Sequence, residues 1–224
     1  MPRPDAVMIF AAGFGTRMGA LTRDRPKPLI AVAGCALIDH ALDQAGGRRV
    51  VVNTHYRADQ LAAHLAGCAV TLSHEPAILD TGGGLRAAAP HLGDGPVFTL
   101  NADAVWAGPG ALGVLEAAWD PARMDALMLL APPERAHGDT RPGDFAMDGD
   151  GRLAAGGPWR YTGAQIIRTD TLAAMPEGAF SLREVWRGML AAGRLHGAIY
   201  PGHWCDVGHP DGIAAAEAML ADHV

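Results

Sequence analysis

Short apolar runs alternate along the chain with stretches whose apolar residues recur every three or four positions. The first run, Val7 to Phe10, breaks into Ala11-Ala12-Gly13-Phe14-Gly15. A run that stops in glycines predicts a buried strand feeding a tight loop. Leu37, Ile38, Ala41, Leu42 and Ala45 then follow at helical spacing within 36–45, and Gly46-Gly47 ends that helix. The pattern goes on to predict a strand over 50–52, a helix over 59–65 and a strand over 70–72. A helix over 82–89 opens out of three glycines, and a strand over 97–100 runs into Asn101-Ala102-Asp103. A helix over 109–119 and a strand over 126–130 complete the series. This alternation predicts a three-layer α/β/α fold around a mostly parallel sheet, with ligands beyond the carboxyl ends of the strands.

The pattern changes after Pro132. Residues 134–143 are polar with glycine and proline and predict a mobile loop. Residues 144–153 predict a hairpin about Asp148-Gly149-Asp150-Gly151, and 159–167 another strand. Helices over 182–191 and 213–221 flank a strand near 195–200. No linker interrupts the chain. The expectation is one domain over 1–224, with a nucleotide-binding half, 1–131, and a smaller acceptor or lid half, 132–224.

Composition narrows the function. The 224 residues are 49% hydrophobic and 19% charged, which fits a globular chain rather than a disordered one. A net charge of −6 argues against nucleic acid or an anionic membrane as partner. No segment suggests a protein partner either. Cys35, Cys68 and Cys205 have no C-x-x-C spacing and read as free thiols. With no apolar run of 18 residues and no leader pattern, the expected location is cytoplasmic.

Positive charge is concentrated where the first strand ends. Arg17, Arg23, Arg25 and Lys27 follow the glycines, and Pro26 and Pro28 bracket the lysine. Glycine lets backbone amides approach an anion. The prolines predict a stiff, extended arm for Lys27. Together these make a polyphosphate cradle. A dinucleotide fingerprint would need a third glycine where Met18 stands, and no GK[ST] loop is present. An ordinary glycine turn with solvated arginines is the competing reading. Asp103, at a strand end, and Asp206, in His203-Trp204-Cys205-Asp206-Val207-Gly208, are candidate hard-oxygen ligands. Either could equally make a turn. The histidines form no ligand cluster by spacing.

Ala11-Ala12-Gly13-x-Gly15-Thr16-Arg17-Met18 followed by Pro26-Lys27-Pro28-Leu29 resembles the signature of the sugar-1-phosphate nucleotidyltransferases. Many relatives carry a proline where this chain has Gly19-Ala20. The resemblance implies a Rossmann-like sheet of the GT-A type, a nucleoside triphosphate and a sugar 1-phosphate as substrates, and Mg2+ held by Asp103 and Asp206. It implies catalytic roles for Arg17, Lys27 and Asp103. It implies nucleotide contacts from Ala11, Ala12, Gly13, Gly15, Thr16 and Arg17, and base recognition by the backbone of Gly82 and Gly83. Asn101 is a candidate for a sugar hydroxyl. Within the family the likeness is greatest to N-acetylmuramic acid 1-phosphate uridylyltransferases of cell-wall recycling. It rests on the short length, Thr81-Gly82-Gly83-Gly84, Gly143-Asp144-Phe145, Phe180-Ser181-Leu182 and Gly202-His203-Trp204-x-Asp206-Val207-Gly208. By that likeness Gly143, Asp144 and Thr162 lie near the acceptor sugar. Mannose 1-phosphate guanylyltransferases share the opening signature. A non-catalytic nucleotide-sugar sensor and a nicotinamide-dependent oxidoreductase are the readings from other classes. Retention of Lys27, Asp103 and Asp206 argues against the first, and the missing third glycine against the second.

Overall fold

A computed structural model describes residues 3–138 and 142–223. Seven strands form the main sheet: β1 (Ala6–Phe10), β2 (Arg49–Thr54), β3 (Val70–His74), β4 (Pro96–Asn101), β5 (Ala126–Ala131), β6 (Arg160–Arg168) and β7 (Leu195–Ile199). Their order is β7-β5-β6-β4-β1-β2-β3. All are parallel except β6, which runs antiparallel to β4 on one side and β5 on the other. The second half of the chain is therefore not a lid laid over the sheet. Its strands β6 and β7 are hydrogen-bonded into it.

The helices are α1 (Leu37–Ala45), α2 (Ala58–His64), α3 (Asp80–Leu92), α4 (Ala111–Ala118), α5 (Leu182–Ala191) and α6 (Pro210–His223). Side chains alternate across β1, so Val7 and Ile9 enter one core while Ala6 and Met8 enter the other. The first core is closed by Ile38, Leu61, Leu112 and Leu115 from α1, α2 and α4. The second is closed by Leu85, Leu92, Leu182 and Met189 from α3 and α5. Gly46, in the left-handed conformation at φ 59°, ends α1 where the glycine pair predicts.

A third cluster joins Met18, Ile30 and Val32 of the opening segment to Val105, Cys205 and Met219. It rests on a small sheet absent from the sequence reading. His203–Asp206 is its middle strand, antiparallel to Ala104–Ala107 and parallel to Ala136–His137. The expected loop over 134–143 thus contains a paired strand, and its residues 139–141 lie outside the described residues. The hairpin pairs Phe145–Met147 with Leu153–Ala155. Among the described residues no helix is long and apolar enough to cross a membrane.

Candidate active site

The carboxyl ends of β1, β2 and β4 open into a cleft with two lobes, one of about 410 Å³ and one of about 300 Å³. Phe10, Arg17, Asp80, Thr81, Asn101 and Asp103 line both, so the lobes meet at these residues. Ala11, Ala12, Gly13, Gly15, Thr16 and Lys27 belong to the larger lobe. Asp144, Thr162 and Asp206 belong to the smaller.

The opening segment shapes the junction. Gly15 has φ 64°, a left-handed conformation that favours glycine, and a Cβ there would stand 2.8 Å from Lys27 Cβ. The amides of Gly13, Phe14 and Gly15 donate to no protein acceptor among the described residues. Thr16–Thr22 then winds as 3-10 turns broken at Gly19, and Tyr56 Oη and the Arg57 guanidinium latch it by donating to the carbonyls of Thr22 and Arg23. Lys27 is not on an extended arm. It heads the 3-10 turn Lys27–Leu29, with Pro26 as its cap. Proline is tolerated in a first turn because the N–H there has no partner to lose. Arg23 and Arg25 line neither lobe.

Lys27 is buried, and its Nζ donates to Asp103 Oδ2 at 2.6 Å. The small sheet places the second aspartate beside the first. Asp206 pairs with Ala104, and Val207 N donates to Asp103 O at 2.9 Å. A methyl group on Gly208 would lie 2.7 Å from Asp206 Oδ2 and 3.2 Å from Arg17 Nη1, so the guanidinium and the second carboxylate share the space over that glycine. Cys205, next in chain, is pushed up to about 12 by burial and by the charge of Asp206. It stays a thiol and offers no thiolate. Among the described residues no group of three or more His, Cys, Asp or Glu is placed to hold a metal ion.

Two expected contacts need correction. The amides of Gly82 and Gly83 both donate to Phe180 O, at 2.9 and 3.1 Å. These glycines sit inside the first turns of α3, not in a loop ahead of it, so their N–H groups do not face a base. A Cβ on Gly82 would strike the Phe180 ring, and one on Gly83 would meet Gly178 O at 2.6 Å. Gly143 is packed against the backbone of Gly157 and Pro158 and lines neither lobe. Thr162 lines the smaller lobe, and its hydroxyl donates to Leu129 O at 2.8 Å. Asp144 accepts from Tyr161 N through Oδ2 and keeps Oδ1 for other partners.

Other residues escaped the sequence reading. Glu75 is 1% exposed at the floor of the larger lobe. Its Oε1 accepts from Asn53 Nδ2 at 2.7 Å and its Oε2 from Leu79 N at 3.0 Å, while Asn53 Oδ1 accepts from Ala11 N at 2.7 Å. The Ala11 amide is thereby used inside the protein. Tyr161, Arg183 and Trp186 line the smaller lobe, together with Ser181 and Trp204 of the segments quoted above. The Tyr161 and Trp186 rings meet edge to face at 5.2 Å. Gly163, at φ 82° in a bulge of β6, presses on Asn101, since a Cβ there would lie 2.7 Å from its amide.

Residues 7–221 match the family described as the MobA-like NTP transferase domain. The chain is 43% identical to an N-acetylmuramate α-1-phosphate uridylyltransferase of Caulobacter vibrioides, over 98% of both chains. It is 31% identical to the enzyme of the same name from Neisseria meningitidis serogroup B, over 95% of this chain and 96% of that one. The fold superposes on an inositol-1-phosphate CTP transferase of T. maritima with TM-score 0.77 at 14% identity, over 100% and 98% of the two chains.

Proposed function

The chain belongs to the family of MobA-like NTP transferase domains and is a sugar-1-phosphate nucleotidyltransferase; from that premise we propose that it transfers the uridylyl group of UTP to N-acetylmuramic acid 1-phosphate with Mg2+ as cofactor. Both relatives above are named as N-acetylmuramate α-1-phosphate uridylyltransferases. The observation that carries the reading is the junction of the two lobes, where Lys27, Asp103, Asp206 and Arg17 converge. In this reading residues 1–131 serve chiefly the nucleotide and 132–224 chiefly the sugar. The reaction belongs in the cytoplasm, where free cysteines stay reduced, as a step that recovers a cell-wall sugar.

The larger lobe takes the triphosphate and the smaller lobe the acceptor. An oxygen of the acceptor phosphate bonds to the α-phosphorus, the bond from that phosphorus to the bridging oxygen of the β-phosphate breaks, and pyrophosphate leaves with the electron pair. No side chain need be a nucleophile, so the protein contributes position and charge. Lys27 neutralises oxygens on the α-phosphoryl group and the acceptor phosphate. Arg17 and the open amides from Gly13 to Gly15 hold the departing β- and γ-phosphates. Asn101, pinned by the Gly163 bulge, is placed for a sugar hydroxyl.

The donor set fits magnesium, which takes one or two carboxylates and completes its shell with phosphate oxygens and water. Asp103 and Asp206 are the residues that would hold it. The charge of the cleft supports this reading. Among the described residues, Glu75, Asp80, Asp103 and Asp144 line the lobes with Asp206, alongside the cations Arg17, Lys27 and Arg183. Two polyanionic substrates entering that field would be repelled. A bound divalent cation would add positive charge there and polarise the α-phosphate.

The test is pyrophosphate release with UTP, GTP, CTP and dTTP against a panel of sugar 1-phosphates. UTP with N-acetylmuramic acid 1-phosphate should give the highest kcat/KM. A preference for GTP with mannose 1-phosphate would reassign the substrates, and nucleotide-sugar binding without turnover by any pair would indicate a sensor.

A further inference from the structure

Arg183 stands on the wall of the smaller lobe. Its guanidinium has no ion-pair partner among the described residues. The adjacent carboxylate, Glu184, is turned back to accept from Ser181 N in the capping box of α5. The aspartates of the lobe are engaged elsewhere: Asp103 by Lys27, Asp144 by Tyr161 N and Asp80 by Thr81 N, while Asp206 sits with Arg17 above Gly208. Position adds a second oddity. Arg183 lies in the first turn of α5, where the helix dipole disfavours a cation. A charge set against the dipole, unpaired and facing a ligand lobe is available to an anion brought in from outside.

Arg17 and Lys27 already answer the phosphates at the lobe junction. The anion left for Arg183 is therefore one carried by the acceptor away from its phosphate. Trp186, three residues on from Arg183 in α5, and Tyr161 add ring surface to the same lobe. We propose that Arg183 is a specificity-determining residue that binds a carboxylate on the acceptor sugar. This rests on the function proposed above: N-acetylmuramic acid 1-phosphate carries a lactyl ether, a methyl group and a carboxylate on one short branch, which suits a ring wall beside a guanidinium. Arginine meets a carboxylate with a planar two-donor fork that lysine lacks.

The test compares N-acetylmuramic acid 1-phosphate with N-acetylglucosamine 1-phosphate, the same sugar without the lactyl branch. Wild type should favour the first in kcat/KM by roughly 10- to 100-fold, the usual value of a hydrogen-bonded charged contact. Arg183→Met should bring the ratio to within about threefold of one, mostly through KM, and Arg183→Lys should leave an intermediate ratio. Rising salt should erode the wild-type ratio, since the site is open to solvent. Equal losses on both acceptors would mean that the guanidinium serves the shared phosphate, and the proposal falls. An unchanged ratio in Arg183→Met also overturns it. Wild-type turnover of other sugar 1-phosphates but neither of these would sink the parent reading instead, and this inference with it.

Discussion

Adding one methyl group to Gly84 should cost this protein stability although it sits inside a helix. Glycine in a helix interior is worse than alanine by about 1 kcal/mol, so propensity alone favours Gly84→Ala. The surroundings of Gly84 reverse the sign. A Cβ there would lie 2.6 Å from Glu75 Oε1 and 3.0 Å from Asn53 Nδ2. Those two atoms are bonded to each other at 2.7 Å, and through Asn53 Oδ1 to Ala11 N. The buried carboxylate cannot retreat without breaking that chain or its bond from Leu79 N. Overpacking costs about 1–3 kcal/mol and a lost bond to a charged group about 1.5–3 kcal/mol. Net destabilisation of roughly 2–4 kcal/mol follows, a fall in Tm of roughly 5–15 °C for a chain of this size. Gly113 in α4 and Gly188 in α5 supply the control, since a Cβ on either meets nothing within 4 Å. Their alanine variants should gain about 0.5–1 kcal/mol each. Thermal unfolding followed by circular dichroism reads all three. The KM for the nucleotide should rise in Gly84→Ala alone, because Asn53 and Ala11 line the larger lobe. A Tm that rises in Gly84→Ala as it does in the controls would refute the rigidity assigned to the Glu75–Asn53–Ala11 chain.

Other outcomes follow from the site. Lys27→Met should lower kcat by roughly 10²–10³, and turnover within about threefold of wild type would end the role assigned to that ammonium. Asp103→Asn with Asp206→Asn should abolish magnesium-dependent turnover and remove the magnesium dependence of UTP binding measured by calorimetry; persistence of either effect would place the metal elsewhere. Acid should loosen the C-terminal helix. His203 Nδ1 and His137 Nε2 lie 3.0 Å apart, and the His223 ring stacks on His203 at 3.7 Å. Burial first, then the charge of His223, holds His137 and His203 below the ordinary histidine range. Groups lowered by folding take up protons more readily when unfolded, so stability is flat above the unfolded value of about 6.5 and declines as pH falls through it. A His203→Gln variant should flatten that decline in Tm between pH 5 and 8, and an identical slope would exclude the histidine stack as its origin.

The main sheet was legible because its strands are continuous apolar runs. Strand direction was not. β6 is buried for most of its length between β4 and β5 and would read the same if it ran parallel, so periodicity carries no sign of its reversal. The small sheet was invisible for another reason. Ala104–Ala107, Ala136–His137 and His203–Asp206 have four, two and four residues, too few to set up a period. Their pairing spans about a hundred residues of sequence. That pairing nevertheless sets Asp206 beside Asp103.

In the site, what could be read depended on whether the signal was local. The loop after β1 announces itself through glycines and cations within one short segment. Asn101 was noticed because a polar residue ends the apolar run of β4. Asn53 stands one residue before the end of β2, after Val50-Val51-Val52, and the same inference would have found it. Arg183 and Trp186 had no such marker, because one arginine and one tryptophan on an amphipathic helix look like surface and core until the lobe is seen. Gly82 and Gly83 misled for a physical reason. Glycine marks a place where something must come close to the backbone, but it does not say what. At these two positions the close neighbours are Phe180 and the backbone before it, so a pattern that suits a base edge was serving the contact between α3 and the segment leading into α5.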